Sequence, residues 1–248
     1  MAYFRCKFGE HEPPIEYDYK WDFTKSLEDE ITGYTPTLRA GSSNNAPVRT
    51  SEGVIFTEPT QIIDFSSKGQ FPFSGRTYEY DISHFEFKGD KTKHIRLLCF
   101  ANQEVSGYTT VKSAPFIFRA NNTIGWSMYG FSNIYDSSKT NAYNMATSWN
   151  NIWGSLSGNS DEVIHCIDGK TVKLVFSDDA YTVSLYLDDT LIGTMTGTSW
   201  RGSEVTWSRG QANNKFMTFG GCDSFSQNSG DQCYDMKLTG LRIYKTPT

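Results

Sequence analysis

The fold is decided by residues 169–197, GKTVKLVFSDDAYTVSLYLDDTLIGTMTG, in which apolar and polar residues alternate. The runs 171–177 and 181–188 each place their apolar residues on one face, because alternate residues of a β-strand share a face. An Asp-Asp pair then leads into a third apolar run at 191–195. The stretch therefore predicts a three-stranded antiparallel meander joined by tight turns.

Similar strand patterns occur on both sides of this meander. They lie at residues 53–57, 61–65, 77–88, 94–101 and 235–245. In the last of these runs the apolar positions change parity after Leu238, and Gly240 stands at the slip, which predicts a β-bulge. Many short strands without alternating helices predict one antiparallel β-sandwich domain.

Two segments depart from this strand pattern. Residues 141–153 carry apolar side chains at helical spacing and end before Gly154, which predicts one short helix. Residues 1–16 are charged and contain Pro13-Pro14, which interrupts regular structure. We therefore expect an N-terminal arm over 1–16 and a sandwich domain over 17–248.

The composition narrows the class of protein. The chain has 248 residues, of which 38% are hydrophobic and 21% charged, as in a globular protein. Its net charge is −5, with both signs spread along the chain. A nucleic-acid-binding protein normally shows a basic patch, and anionic membrane surfaces also attract basic segments. We therefore expect neither a nucleic acid nor a membrane surface as a partner.

The sequence shows neither a membrane anchor nor a secretion signal. No stretch reaches 18 apolar residues, and the N-terminus lacks an apolar signal core. We expect synthesis in a reducing cytoplasm, unless an export signal was removed. The five cysteines are too sparse for a disulfide framework. Only Cys222 and Cys233 are near enough in sequence to suggest a bridge, and reduced thiols are the other reading.

Several motifs taken together resemble a known family. They are Tyr19-Lys20-Trp21-Asp22-Phe23, Gly53-Val54-Ile55-Phe56, Ile62-Ile63-Asp64-Phe65, the stretch 169–197, Phe219-Gly220-Gly221 and Leu238-Thr239-Gly240-Leu241-Arg242-Ile243-Tyr244. Their order over residues 17–246 resembles the concanavalin A-like lectin/glucanase jelly roll, especially its laminin-G-like branch. The opening Met-Ala-Tyr-Phe-Arg-Cys is similar to the openings of tail or surface-fibre proteins of Firmicutes phages.

The family resemblance implies a sandwich of two curved antiparallel sheets. It further implies glycan binding on the concave face or on loops at one edge. Some branches hydrolyse β-glucans, and many members use or carry calcium. Because one fold serves many functions, each implication has to be tested on the residues themselves.

The glucanase motif of this family is broken in the present chain. Retaining hydrolysis needs two carboxyl groups about 5–5.5 Å apart on one face, which the family supplies as Glu-x-Asp-x-Glu or with one bulged residue added. Here Glu79 and Asp81 fit the pattern, but the position of the acid holds Ser83 or His84, and Glu86 lies too far along. We therefore expect a non-catalytic strand with a solvated acidic face, although an inverting pair from distant loops stays open.

Other catalytic and metal motifs are missing from the sequence. There is no Gly-x-Ser-x-Gly elbow, no Cys-x-x-Cys or His-Glu-x-x-His spacing and no glycine-rich phosphate loop. Calcium remains a candidate because it prefers several carboxylate and carbonyl oxygens. The acidic pairs Asp178-Asp179 and Asp188-Asp189 offer such oxygens, and the richest cluster is Asp223, Asn228, Asp231 and Asp235.

Two polar, aromatic segments are candidates for glycan binding. A sugar has apolar C–H faces and a polar rim, so its site combines an exposed aromatic ring with Asn, Arg or Gln side chains. The segments are 121–135 and 196–214. The candidate residues are Trp126 and Tyr129 in the first segment and Trp200, Arg201, Trp207, Arg209 and Asn213 in the second.

The sequence therefore favours a non-catalytic module that recognises a glycan or a cell-wall or surface polysaccharide. From the second resemblance we expect a place in a phage tail or another virion or extracellular surface, with the arm 1–16 joining copies or a larger assembly. A structural or protein-binding sandwich is the first alternative. A glycoside hydrolase with a divergent acid pair is the second.

Overall fold

The computed structural model of the chain describes residues 14–40, 45–58, 60–69, 71–72, 75–88, 94–101, 111–113, 117–119, 167–177, 182–196, 216–220 and 234–247. Within these ranges the regular structure is antiparallel β-strand, apart from a short 3-10 helix at Ser66–Lys68. The strands are β1 (Tyr17–Asp22), β2 (Thr37–Ala40), β3 (Val48–Thr50), β4 (Gly53–Phe56), β5 (Gln61–Asp64), β6 (Arg76–Phe87), β7 (His94–Arg96), β8 (Leu98–Ala101), β9 (Val111–Ser113), β10 (Ile117–Arg119), β11 (Lys170–Phe176), β12 (Thr182–Leu187), β13 (Thr190–Thr196), β14 (Phe216–Phe219) and β15 (Tyr234–Lys245). The predicted all-β antiparallel fold is confirmed.

Most of the described strands lie in two sheets. The larger sheet has eight strands in the order β13-β12-β11-β6-β15-β4-β3, and β1 joins it by pairing with β15. The smaller sheet has the order β2-β5-β14-β8-β9, while β7 and β10 form a separate pair. Strand β15 pairs with β6 over its whole length, and its other edge is shared by β4 and β1. This long pair of strands lies at the centre of the larger sheet.

The hydrophobic core fills the space between the two sheets. The Phe219 ring of the smaller sheet packs against Tyr80 of the larger sheet, with ring centroids 5.0 Å apart, and Phe65 packs against Trp21 at 5.1 Å. Each fully buried side chain of this kind stabilises the fold by about 1.5–3 kcal/mol. The meander residues fully buried in this core are Val172, Leu174, Phe176, Val183 and Leu185.

The predicted meander is formed by β11, β12 and β13. Its second turn is Asp188-Asp189, where both residues have positive φ, 45° and 63°, and Leu187 pairs with Thr190. Two consecutive left-handed residues are typical of the type I′ turn, whose twist matches that of a two-stranded hairpin. Aspartate tolerates this conformation because its short side chain makes local hydrogen bonds.

The bulge predicted at Gly240 is confirmed, and a second bulge lies opposite it. In the β6–β15 register Leu238 pairs with Ile82, and the next pair is Gly240 with Asp81, so Thr239 is the extra residue of β15. On the other side of the same pair, Ser83 is the extra residue of β6. The two bulges compensate each other, which returns both strands to a common register.

The prediction of one continuous strand over 94–101 is wrong. The chain forms β7 and β8 instead, and these strands belong to different sheets. Leu97 and Leu98 are both fully buried, so the alternation of faces breaks between them. The Leu97 carbonyl accepts the N–H of Gly220 at 2.8 Å, which ties this break to the end of β14.

Two of the predictions about secondary structure and domains fall outside the described residues, namely the helix over 141–153 and most of the arm over 1–16. Of the arm, residues 14–16 are exposed and lie outside any strand. The described part of the chain contains no helix that is long and apolar enough to span a membrane.

Candidate functional site

The two carboxylates of the broken glucanase motif lie on the outer face of the larger sheet. Tyr78 and Tyr80 of β6 point into the core, so Glu79 and Asp81 point away from it. At the position of the missing acid, His84 has its Nδ1 atom 3.4 Å from Asp168 Oδ1. That same Asp168 oxygen accepts the backbone N–H of the residue after His84 at 2.7 Å.

Cations from the two neighbouring strands pair with these carboxylates. Arg242 Nη2 lies 2.7 Å from Glu79 Oε1 and 2.6 Å from Asp81 Oδ1. Lys173 Nζ lies 3.6 Å from Glu79 Oε2, and the Tyr244 hydroxyl donates to the same oxygen at 2.7 Å. Burial and the Glu79 carboxylate raise the pKa of Tyr244, so this hydroxyl remains a hydrogen-bond donor at neutral pH.

The sequence predicted a solvated acidic face, and on this point it was wrong. The register places Arg242 of β15 and Lys173 of β11 directly opposite Glu79. The pKa of Arg242 is raised: burial alone would lower it, but the Asp81 and Glu79 carboxylates outweigh that effect. Both carboxylates are thus held as acceptors that join β6 to its neighbours.

The described acidic candidates for calcium are each paired with a lysine. Asp235 bonds the Lys88 ammonium, and Asp188 bonds Lys170 at 2.5 Å. Asp189 is likewise bonded to a lysine, Lys173. Within the described residues there is no group of three His, Cys, Asp or Glu side chains placed to hold a metal ion. The other cluster members, Asp223, Asn228 and Asp231, lie outside the described residues.

The predicted glycan-binding residues also lie outside the described residues. These residues are Trp126, Tyr129, Trp200, Arg201, Trp207, Arg209 and Asn213. Their assignment therefore stays a prediction.

A polar pair that the sequence analysis missed lies on the outer face of the smaller sheet. Asp64 alternates with the core residue Ile63 and is only 4% exposed. Its carboxylate accepts from Arg39 Nη1 at 2.9 Å and from the Ser66 N–H at 2.8 Å. The only signal in the sequence was one Asp within the apolar run 61–65.

This pair presents an oriented cation at the protein surface. The Arg39 side chain is 34% exposed, whereas that of Asp64 is 5% exposed. A guanidinium group has five N–H donors in a rigid plane, so one bond to Asp64 leaves others for a ligand. Hydroxyl and carboxylate oxygens are suitable acceptors for such donors.

The comparisons with known proteins concern the fold. No protein-family model matches the sequence, and no curated protein matches it. A non-specific endo-β-1,3(4)-glucanase from family GH16 has a similar structure, with a TM-score of 0.52, 12% identity, and coverage of 96% of this chain and 95% of the glucanase. The endo-β-1,3-glucanase of Pyrococcus furiosus has a TM-score of 0.50 and 14% sequence identity, and the match covers 93% of this chain and 94% of the glucanase.

A third similar structure comes from work on endo-acting O-glycanases that human gut bacteria express to initiate mucin breakdown. It gives a TM-score of 0.54 at 10% identity and covers 93% of this chain and 99% of that one. At such identities the likeness establishes the fold alone. The chain is an antiparallel jelly-roll β-sandwich of the concanavalin A-like type.

Proposed function

We propose that this chain is a non-catalytic module that recognises a glycan. The observation that supports binding rather than hydrolysis is the pairing of Glu79 and Asp81 with Arg242 on the adjacent strand. A glycosidase needs one carboxyl group that ionises to attack or activate water and another that keeps its proton. Two carboxylates fixed by one guanidinium are poorly suited to these roles.

The proposed ligand contacts are the aromatic and polar residues of the two segments at 121–135 and 196–214. An indole ring packs on the apolar face of a sugar, while guanidinium and amide groups bond its hydroxyls. The main contacts in this proposal are Trp200 and Trp207, with Arg201, Arg209 and Asn213 beside them, and Trp126 and Tyr129 in the other segment. Arg39 adds a described donor on the outer face of the smaller sheet.

A glycan array probed with a multimer of the purified chain tests this proposal. The wild type and a Trp200→Phe/Trp207→Phe variant should bind the same glycans, whereas Trp200→Ala/Trp207→Ala should lose binding by at least about tenfold while remaining folded. Running the array with and without EDTA tests the calcium prediction. Binding that is unchanged in the alanine variant would refute the proposed contacts. Failure of every glycan, with capture of one assembly protein, would favour the structural alternative.

Hydrolysis is the second candidate, because two of the similar structures are glucanases. A reducing-sugar assay on soluble β-glucans separates the two functions. We expect no product above the level of a heat-denatured control. Product formation that Glu79→Gln abolishes without loss of folding would show that the Arg242-bound carboxylate is catalytic after all.

We further propose that the module acts as one of many copies on a virion surface, such as a phage tail. Weak binding by single copies then becomes strong binding by the assembly. Residues 1–16 would carry the attachment. Their deletion should abolish assembly and leave glycan binding by the isolated domain unchanged, as judged by light scattering and by the array.

A further inference from the structure

Lys68 is held at one rim of the sandwich, next to two partly buried tyrosines. It ends the 3-10 helix at Ser66–Lys68, which follows β5. The helix starts at a backbone N–H bonded to Asp64 and stops at Gly69, whose φ is 89°. The Lys68 ammonium lies 5.3 Å from the centroid of the Tyr19 ring and 5.7 Å from that of Tyr34.

The two tyrosines form a rigid support for this ammonium. Tyr19 stacks on the buried Trp21, with centroids 5.7 Å apart and planes within 8°, and it also packs on Phe71 at 5.0 Å. The Tyr34 hydroxyl lies 2.9 Å from Ser67 Oγ. This contact ties the loop between β1 and β2, residues 23–36 and here called the 30s loop, to the 3-10 helix. A binding surface built of rings that are already fixed loses little conformational entropy when a ligand arrives.

Both tyrosines are neutral at physiological pH. Burial raises the pKa of Tyr19, and nearby Asp18 and Asp29 add to the shift. Burial likewise raises the pKa of Tyr34. The surface therefore combines two neutral rings and their hydroxyl groups with one positive charge.

Lys68 differs from almost every other lysine whose side chain the structure describes. All of those others except the exposed Lys245 are within 4 Å of a carboxylate. The pairs are Lys20–Glu30, Lys25–Asp22, Lys88–Asp235, Lys170–Asp188, Lys173–Asp189 and Lys237–Glu52. The described residues give Lys68 the faces of two rings and no carboxylate. A cation–π contact stabilises the charge and leaves its N–H donors available to an anion.

We propose that Lys68, Tyr19 and Tyr34 form a subsite for the acidic substituent of a saccharide, a carboxylate or a sulfate. This inference rests on the proposed glycan recognition and names the chemical class of the ligand. The ammonium binds the anionic group, and the hydroxyls of Tyr34 and Ser67 bond sugar oxygens. All of its residues come from β1, the loop between β1 and β2 and the 3-10 helix, and none belongs to the segments 121–135 or 196–214.

Two matched pairs of oligosaccharides test the proposal by titration calorimetry on the full chain. One pair is an oligogalacturonide and its neutral methyl ester, and the other is a sulfated galactan fragment and its desulfated form. One of the two acidic members should bind at least about tenfold more tightly than its neutral counterpart, and the member that does so identifies the anion. The preference should weaken in 0.5 M salt, because dissolved ions screen the attraction between a solvent-accessible ammonium and an anion. Free sulfate serves as the control for simple anion binding.

Lys68→Gln should abolish the acidic preference, and Lys68→Arg should retain it. Lys245→Gln, which removes an exposed and unpaired lysine elsewhere, is the matched control and should change nothing. A preference that survives Lys68→Gln, or no preference for either acidic member, overturns the subsite. If neutral glycans still bind through Trp200 and Trp207, the proposed function stands without the subsite. If no glycan binds at all, both proposals fail.

Discussion

The outer face of β6 and the rim around Lys68 are both charged surfaces, but their charges are used differently. On β6, Glu79 and Asp81 share one guanidinium from β15. The other Glu79 oxygen accepts from Tyr244, and the Asp81 oxygen bonded to Arg242 also accepts from Thr171. At the rim, an ammonium rests on two aromatic rings without a described carboxylate beside it.

The difference indicates which charges serve the fold and which remain available to a ligand. The free-energy cost of desolvating a half-buried charge is offset by close partners of opposite sign. On β6 the strand register places such partners beside the carboxylates. Removal of a charged group should therefore have different consequences in the two regions. Loss of charge on β6 should reduce stability, and loss of charge at Lys68 should reduce binding.

Replacement of Arg242 by Met should have the largest effect on stability. It leaves Glu79 and Asp81 half-buried without their shared cation, and breaking such a pair from one side costs about 3 kcal/mol. The free energy of unfolding in urea measures this loss. The triple variant Glu79→Gln/Asp81→Asn/Arg242→Met should recover a large part of it, because no unpaired charge remains. A loss below about 1 kcal/mol in Arg242→Met would show that the network adds little to the fold.

Gly240→Ala should have the next largest effect. A Cβ atom at this bulge would lie 2.7 Å from Asp81 Oδ2, so the carboxylate must move away from Arg242 or the strand must shift. We expect destabilisation by about 1–2 kcal/mol, as for other overpacked sites. A double-mutant cycle with Asp81→Ala provides the control, since the clash is then gone. An additive cycle would contradict the proposed cause.

The Asp188–Lys170 pair should make a smaller contribution that depends on pH. The Lys170 hydrogen bond and the Thr171 N–H lower the pKa of Asp188 below its ordinary value of 3.8. A carboxylate with a lowered pKa stabilises the folded state above that ordinary value, and the contribution disappears as pH falls through the folded-state pKa. Asp188→Asn should therefore be slightly less stable than wild type at pH 7, and this difference should vanish once the pH falls below the folded-state pKa of Asp188.

Asparagine is the suitable replacement at this turn, because it also tolerates the left-handed backbone at Asp188. Lys170→Gln removes the other partner and should show the same pH dependence in thermal unfolding. A difference between Asp188→Asn and wild type that persists at acidic pH would point to the turn rather than to the charge.

Lys68→Gln should have the smallest effect on stability, at most about 1 kcal/mol, since only a cation–π contact is lost. Together with the tenfold effect on acidic glycans, this result would sharpen the contrast with Arg242. A stability loss as large as that of Arg242→Met, measured in the same urea titration, would instead place Lys68 among the structural charges.

The sequence predicted those strands whose apolar pattern is uninterrupted. The meander of β11–β13 and the bulge at Gly240 follow from local alternation, because a period of two places one set of residues against the core. The same rule could have found the second bulge, since Tyr78, Tyr80 and Ile82 are followed by Phe85 at the opposite parity. It failed at Leu97, where two adjacent buried residues mark a change of sheet rather than a continuous strand.

The sequence by itself determined the fold class, the meander and the departure from the glucanase motif, because these depend on the order of residues along a strand. Only the tertiary structure decided which side chains meet across strands. Arg242 lies 161 residues from Asp81, and Asp64 meets Arg39 from 25 residues away. No local pattern encodes such pairs, because they arise from the register and order of strands in the sheets. Lys68 became a candidate for the same reason, since its two tyrosines are brought to it by β1 and the 30s loop.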